Sequence, residues 1–196
     1  MKRTLTINLS GMVYHIDEDA YAILNDYLER IKSGINNLEG SNEIYEDIEN
    51  RIAEIISERL RNSRQVVTIQ DIEIVIGIMG QPEDISGNDK SKKSTIRSKN
   101  YRRMYRDSDN RIIGGVCSGL AIYWNLDPTL VRVIFVILTI FGMAGIFIYL
   151  ILWIVLPEAL TAAQKIEMRG ENVTISSIID FFKDEFENVK KSFHKK

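Results

Sequence analysis

Between Arg132 and Pro157 the chain runs through 24 residues, 133–156, without one charged side chain. A helix over that run would be roughly 36 Å long, against a hydrocarbon core of about 30 Å. One tilted helix is therefore long enough to cross a bilayer. Only Thr139 and the Tyr149 hydroxyl interrupt its apolar circumference, whereas a core helix of a soluble domain carries a polar outer face. Tyr149 and Trp153 lie toward one end, where amphipathic rings anchor at the membrane surface. The run predicts a single transmembrane α-helix. Gly142 and Gly145 sit at its middle and would allow tight helix association, a kink, or a re-entrant hairpin of two short halves. Each half is too short to cross alone, so the reading taken is one continuous span.

The rest of the 196 residues has room for one small domain and little more. No positively charged segment leading into an apolar stretch opens the chain, so no cleavable signal is expected and the internal run should direct insertion. The net charge of −2 hides a segregated pattern. Residues 1–87 hold 16 acids and 8 bases, while residues 88–111 hold 9 bases and 3 acids. Of the 25 Lys and Arg, 18 precede the apolar run, and this bias predicts a cytoplasmic N-terminus.

Cys117 is the only cysteine, and His15 and His194 sit near opposite ends with no ligand spacing around them. No metal or cofactor is expected. The carboxylates of the N-terminal region fall at surface-helix spacing, and no nucleophile has a histidine partner in view. The chain is read as a non-enzyme.

Leu5, Ile7 and Leu9 alternate with polar residues, Ser10-Gly11 breaks the run, and residues 12–16 resume it, which predicts a β-hairpin. Asp17 would cap a first helix with the stripe Tyr21, Leu24, Leu28, Ile31, Ile35. A second helix from about Ser41 would bury Ile44, Ile48, Ile52, Ile55 and Ile56. A third, after the capping-box form Thr68-Ile-Gln-Asp71, would bury Ile69, Ile72, Val75, Ile76 and Met79. Residues 1–86 are thus an acidic α+β domain. Residues 87–104 read as a basic flexible linker. The stretch Tyr101-Arg-Arg-Met-Tyr-Arg106 interleaves aromatics with arginines, a pattern that suits anionic headgroups, a purely topogenic role or nucleic acid. With the apolar run so near, a nucleic acid is not the expected partner.

Residues 105–132 contain Gly114-Gly115-Val-Cys-Ser-Gly119-Leu-Ala and Leu126-Asp-Pro-Thr-Leu-Val-Arg132, and residues 149–157 end in Trp153-Ile-Val-Leu-Pro157. This segment, 105–157, resembles the phage-shock protein C (PspC) domain. Ile122 stands where members often have an acidic residue, which removes any contact made by that charge. The resemblance implies a protein of the bacterial cytoplasmic (inner) membrane that senses envelope stress and relays it through regulatory partners. The residues themselves support a juxtamembrane helix over 115–125. Gly114, Gly115 and Gly119 would allow close approach to another backbone or to the membrane surface, with Leu120, Tyr123 and Trp124 as the apolar face. Asp127 would cap the following helix, Pro128 would fill its first position, and Arg132 would snorkel to phosphates or pair with an acidic group.

Near the C-terminus, Ile175, Ile179, Phe182, Phe186, Val189 and Phe193 recur at alternating intervals of four and three. This seam over 173–194 fits self-association, an amphipathic helix on the bilayer, or packing against another domain. The expected architecture is therefore α+β: a small hairpin-plus-helices domain, a juxtamembrane helix, one transmembrane α-helix and a C-terminal amphipathic helix. The expected partners are the phospholipid bilayer, a regulatory protein and a second copy of the chain. The competing reading is a membrane-bound scaffold that stabilises or remodels damaged bilayer without signalling to transcription.

Overall fold

In the computed structural model, which describes residues 3–61, 65–82, 102–141 and 143–193, the alternating N-terminal run folds into β1 (Thr4–Leu9) and β2 (Met12–Asp17). They pair antiparallel with Leu9 opposite Met12. The turn residues Ser10 and Gly11, at φ 51° and 78°, are both left-handed, as the twist of a two-residue hairpin requires. β3 (Val66–Val67) joins the other side of β2 in parallel, giving the order β1-β2-β3. Tyr14, Ile16 and Val67 are buried, whereas Thr6 and His15 pair on the exposed side.

Helices α1 (Glu18–Ile35), α2 (Ser41–Leu60) and α3 (Ile69–Met79) complete this core. Isoleucine is a mediocre helix former, by tenths of a kcal/mol per residue. Burial of each side chain contributes about 1.5–3 kcal/mol, so the buried face Ile44, Ile48, Ile52, Ile55, Ile56 makes α2 a helix regardless. In α1 the stripe is rotated from the expected one. Ala20 and Tyr27 are buried with Leu24, Ile31 and Ile35, while Tyr21 is exposed and Leu28 half-buried. The reason is that Tyr27 donates its hydroxyl proton to the carbonyl of Gly80, at 2.7 Å, and so ties α1 to the end of α3. Tyr14 does the same for the sheet, donating to the carbonyl of Ala53 in α2 at 3.1 Å.

Thr68 and Asp71 form a reciprocal capping box at the start of α3, so the short Asp side chain suffices. One carboxylate oxygen of Asp71 accepts from the Thr68 hydroxyl at 2.8 Å and from its N–H at 3.1 Å, and the other accepts from Arg59 at 3.2 Å. Burial alone would raise the Asp71 pKa, but the Thr68 bonds and the Arg59 guanidinium outweigh it and hold the carboxyl below its usual range. A depressed folded-state pKa means stability that is present above the unfolded value of about 3.9 and is lost as pH falls through the folded one. Asp71→Asn should therefore cost about 1–3 kcal/mol at neutral pH, with the deficit shrinking below about pH 4 as the wild-type carboxylate protonates. Urea midpoints of the two proteins across acidic pH check this; a deficit constant down to the lowest pH would show that the carboxylate charge is not what matters.

Helix α8 (Ile175–Phe193) belongs to the same compact unit, which comprises Met1–Ser98 with Val173–Lys196. Thr174 and Ser177 cap its start reciprocally, each side chain bonding the other residue's N–H. Val173, Ile175, Ile178 and Ile179 are buried, Phe182 and Phe186 are half-buried, and Val189 is exposed. The Phe186 ring lies over Gly40, where an added methyl carbon would come within 2.6 Å of it.

The second unit, Lys99–Asn172, holds α4 (Val116–Trp124), α5 (Pro128–Ile140), α6 (Ala144–Val155) and α7 (Ala162–Arg169). It corrects the expected transmembrane helix. Among the described residues, no helix is long and apolar enough to cross a membrane. The uncharged run is divided because α5 ends with Phe141 as its C-cap and Met143, in the left-handed conformation at φ 57°, starts α6. The two helices then fold back on each other. Gly145 meets the Phe135 carbonyl, and the rings of Phe135 and Tyr149 stack edge to face with centroids 5.8 Å apart. Residues 157–172 contain α7. It starts with a capping box between Thr161 and Gln164 and ends at left-handed Gly170.

Candidate functional site

The candidate site begins with the segment 104–107, laid against α4. The glycines permit that contact. A Cβ on Gly119 would overlap the Tyr105 carbonyl oxygen, and one on Gly115 would overlap the Asp107 carbonyl oxygen. Gly115 is also left-handed, at φ 75°, and its carbonyl accepts the Asp107 N–H at 3.1 Å. The close approach has a definite partner, the chain's own backbone at Tyr105 and Asp107. Gly114 lies beside the indole of Trp153 and the hydroxyl of Tyr149.

Arg106 fastens both ends of the unit together. Its N–H donates to the Pro157 carbonyl at 2.8 Å, its carbonyl accepts from Ala159 at 3.0 Å, and its guanidinium donates to Leu156 at 2.9 Å and Gly114 at 3.2 Å. Glu158 lies 3.7 Å from the same guanidinium and bonds Arg111 at 3.1 Å. Tyr105 is buried, with its hydroxyl donating to Glu167 of α7 at 3.1 Å. Arg102 donates to the Tyr123 carbonyl at 3.2 Å. At 102–106, therefore, the aromatic-basic stretch is largely spent on internal bonds. Ile122 packs against the cluster of Tyr105, Ala159 and Met168.

Asp127 caps α5 by accepting from the Thr129 N–H at 2.6 Å, with Pro128 in the first turn. Hydrogen bonding to Thr129 holds its carboxyl below the usual range. Arg132 is half-buried and donates to the Asn110 carbonyl at 3.2 Å. Cys117 is half-buried, and burial pushes its thiol up despite the nearby Arg132 charge, so it is protonated at neutral pH. Among the described residues, no group of three or more His, Cys, Asp or Glu is placed to hold a metal.

The hairpin is the most unusual surface of the unit. Within α5 and α6 only Val131 and Gly145 are buried. Phe141 is 87% exposed and Ile154 83%, and Ile140, Phe147 and Val155 are all more than half exposed. A monomer seldom leaves so much contiguous apolar surface bare unless something covers it.

The sequence of this unit is recognisable. Residues 102–159 match the PspC domain family. Over 53 residues the chain is 43% identical to the uncharacterized membrane protein YvlC of Bacillus subtilis (strain 168), a stretch covering 26% of this chain and 82% of that protein. The chain belongs to the PspC domain family. No solved structure matches it.

The PspC domain brings together Gly114, Gly115, Gly119, Tyr123, Asp127, Pro128, Arg132 and Gly145. Trp124 sits at its surface, 55% exposed. Gly142, Lys99 and the linker up to residue 101 lie outside the described residues, as does the side chain of Phe193. The C-terminal seam is not part of this domain: Ile175, Ile179, Phe182, Phe186 and Val189 lie on α8 of the other unit. Three contributors went unread in the sequence: Tyr105, Arg106 and Glu158. The first two sit in a stretch whose composition suggested lipid or nucleic acid. Their partners, the Glu167 carboxylate for Tyr105 and the backbone of residues 156–159 for Arg106, lie fifty or more residues away, which no local pattern announces.

Proposed function

We propose that this protein is a membrane-associated regulator of the phage-shock type in the bacterial cytoplasmic membrane, acting through lipid and protein contacts in the response to envelope stress. The observation that carries the reading is the α5–α6 hairpin, whose apolar side chains face outward on a PspC domain. The relative YvlC, named a membrane protein, supports the same reading. At about 1.5 Å per residue, the 13-residue α5 and 12-residue α6 reach roughly 18–20 Å, well short of a 30 Å core. The hairpin enters one face and returns to it, leaving both chain ends in the cytoplasm. The acidic N-terminal unit is then the part that meets a regulatory partner. The scaffold reading drew on a C-terminal helix free to lie on lipid, and it is weakened because the first turns of α8 are buried within the first unit.

Reporter fusions after Met1 and after Lys196 test the topology: both should report cytoplasm, and opposite compartments would overturn the hairpin. The regulatory role is tested in cells lacking the protein, challenged with a membrane-depolarising agent while transcripts are profiled. The stress transcripts should change with its absence and return with the wild-type chain. An unaltered profile would remove the signalling role.

A further inference from the structure

Between the inner side of the α5–α6 hairpin and the loop before α4 lies a cleft of about 510 Å³, within the range of about 300–1,000 Å³ typical of ligand sites. Its walls are graded. One end carries Arg132, Ser118 and Trp153, and the other is apolar, with Val136, Ile140 and Ile146. Helix direction fixes that order: α5 leads from Arg132 toward Ile140, and α6 returns from Ile146 to Trp153.

Among the described residues Arg132 makes one hydrogen bond, to the Asn110 carbonyl, and no salt bridge; the Asp127 carboxylate at the start of α5 feels its charge without bonding it and is taken up with the Thr129 N–H. Its remaining N–H groups have no acceptor there. A half-buried guanidinium with spare donors at the mouth of an apolar cleft is matched by an anionic oxygen attached to a hydrocarbon chain. A cation so close to the bilayer needs such an anion in place of lost hydration.

We infer that the cleft is a binding site for one anionic phospholipid, with its phosphate on Arg132 and an acyl chain running along Val136 toward Ile140 and Ile146. The proposal rests on the hairpin's membrane insertion. Occupancy would report the charge composition of the leaflet to the PspC domain, because Arg132 shares the Asn110 carbonyl with Ser118 of α4.

The test uses the full chain carrying Trp124→Phe, which leaves Trp153 as the sole tryptophan. Fluorescence quenching by bromine-labelled acyl chains is measured in phosphatidylcholine vesicles doped with dibromo-phosphatidylglycerol or, separately, dibromo-phosphatidylcholine. Flotation of the protein with each vesicle is recorded alongside. Half-quenching should need on the order of tenfold less of the anionic lipid, the factor that a charge-assisted hydrogen bond of about 1.5 kcal/mol supplies. Arg132→Gln should erase the difference and Arg132→Lys should restore part of it. Val136→Phe, which narrows the cleft but keeps the charge, should also reduce it. Flotation with equal quenching by the two lipids would overturn the site while leaving the membrane reading intact. Failure to float with either vesicle would overturn both.

Discussion

Introducing one carboxylate on each arm of the hairpin, Ile140→Asp with Phe147→Asp, should release the protein from membranes while leaving it folded. Both side chains are largely outside the protein's own packing, at 75% and 65% exposure, so neither change opens a cavity. In lipid the cost is large. Moving Asp rather than Ile or Phe into the hydrocarbon costs about 3 kcal/mol per residue at full depth. Two such changes shift partitioning on the order of 10⁴-fold. Flotation against vesicles, with circular dichroism to show retained helix, checks this. A double variant that still floats as the wild type does would mean that the hairpin is not the membrane contact.

The second large effect lies where α4 meets residues 104–107. Gly119→Ala should cost about 3 kcal/mol or more, the upper end of overpacking penalties, because the added methyl overlaps a backbone carbonyl that cannot rotate away. Relieving the overlap means moving Tyr105 and Arg106, and with them the bonds to Pro157, Ala159 and Leu156. Against a typical domain stability of about 5–15 kcal/mol, that loss is a large fraction. Gly11→Ala is the control. Unlike the helical Gly119 it is left-handed, at φ 78°, but its added methyl meets nothing within 4 Å. That change should cost only the backbone strain, about 1–2 kcal/mol. Denaturant unfolding monitored by amide exchange, in residues 102–172 for Gly119→Ala and in residues 4–79 for Gly11→Ala, measures each cost in its own unit, and a Gly119→Ala cost no larger than that of Gly11→Ala would mean that the close approach is unimportant. The same geometry bears on function: a bulky residue at Gly115 or Gly119 disrupts the fold of the domain and so cannot by itself report on signalling.

What the sequence determined was set by local chemistry. The β-hairpin followed from alternation and a Ser10-Gly11 turn, α2 from its isoleucine spacing, the start of α3 from Thr68 and Asp71, and the start of α5 from Asp127-Pro128. Each depends on residues within a few positions of one another. The family could be read for the same reason, since its glycines and its Leu126-Asp-Pro pattern are contiguous. Tertiary structure decided the rest. An uncharged run states that its side chains avoid water, but not whether the backbone continues or turns; the left-handed Met143 and the packing of Gly145 against Phe135 made it a hairpin. Likewise Arg106 carries a charge that in sequence pointed outward to phosphates. Only the return of residues 156–158 to its side supplied the carbonyls and the carboxylate that hold it within the domain. The C-terminal seam had several surfaces to choose from, and the buried faces of Ile175, Ile178 and Ile179 show which one it took. Amphipathicity fixes which face of a helix seeks cover, and the long-range fold fixes what covers it.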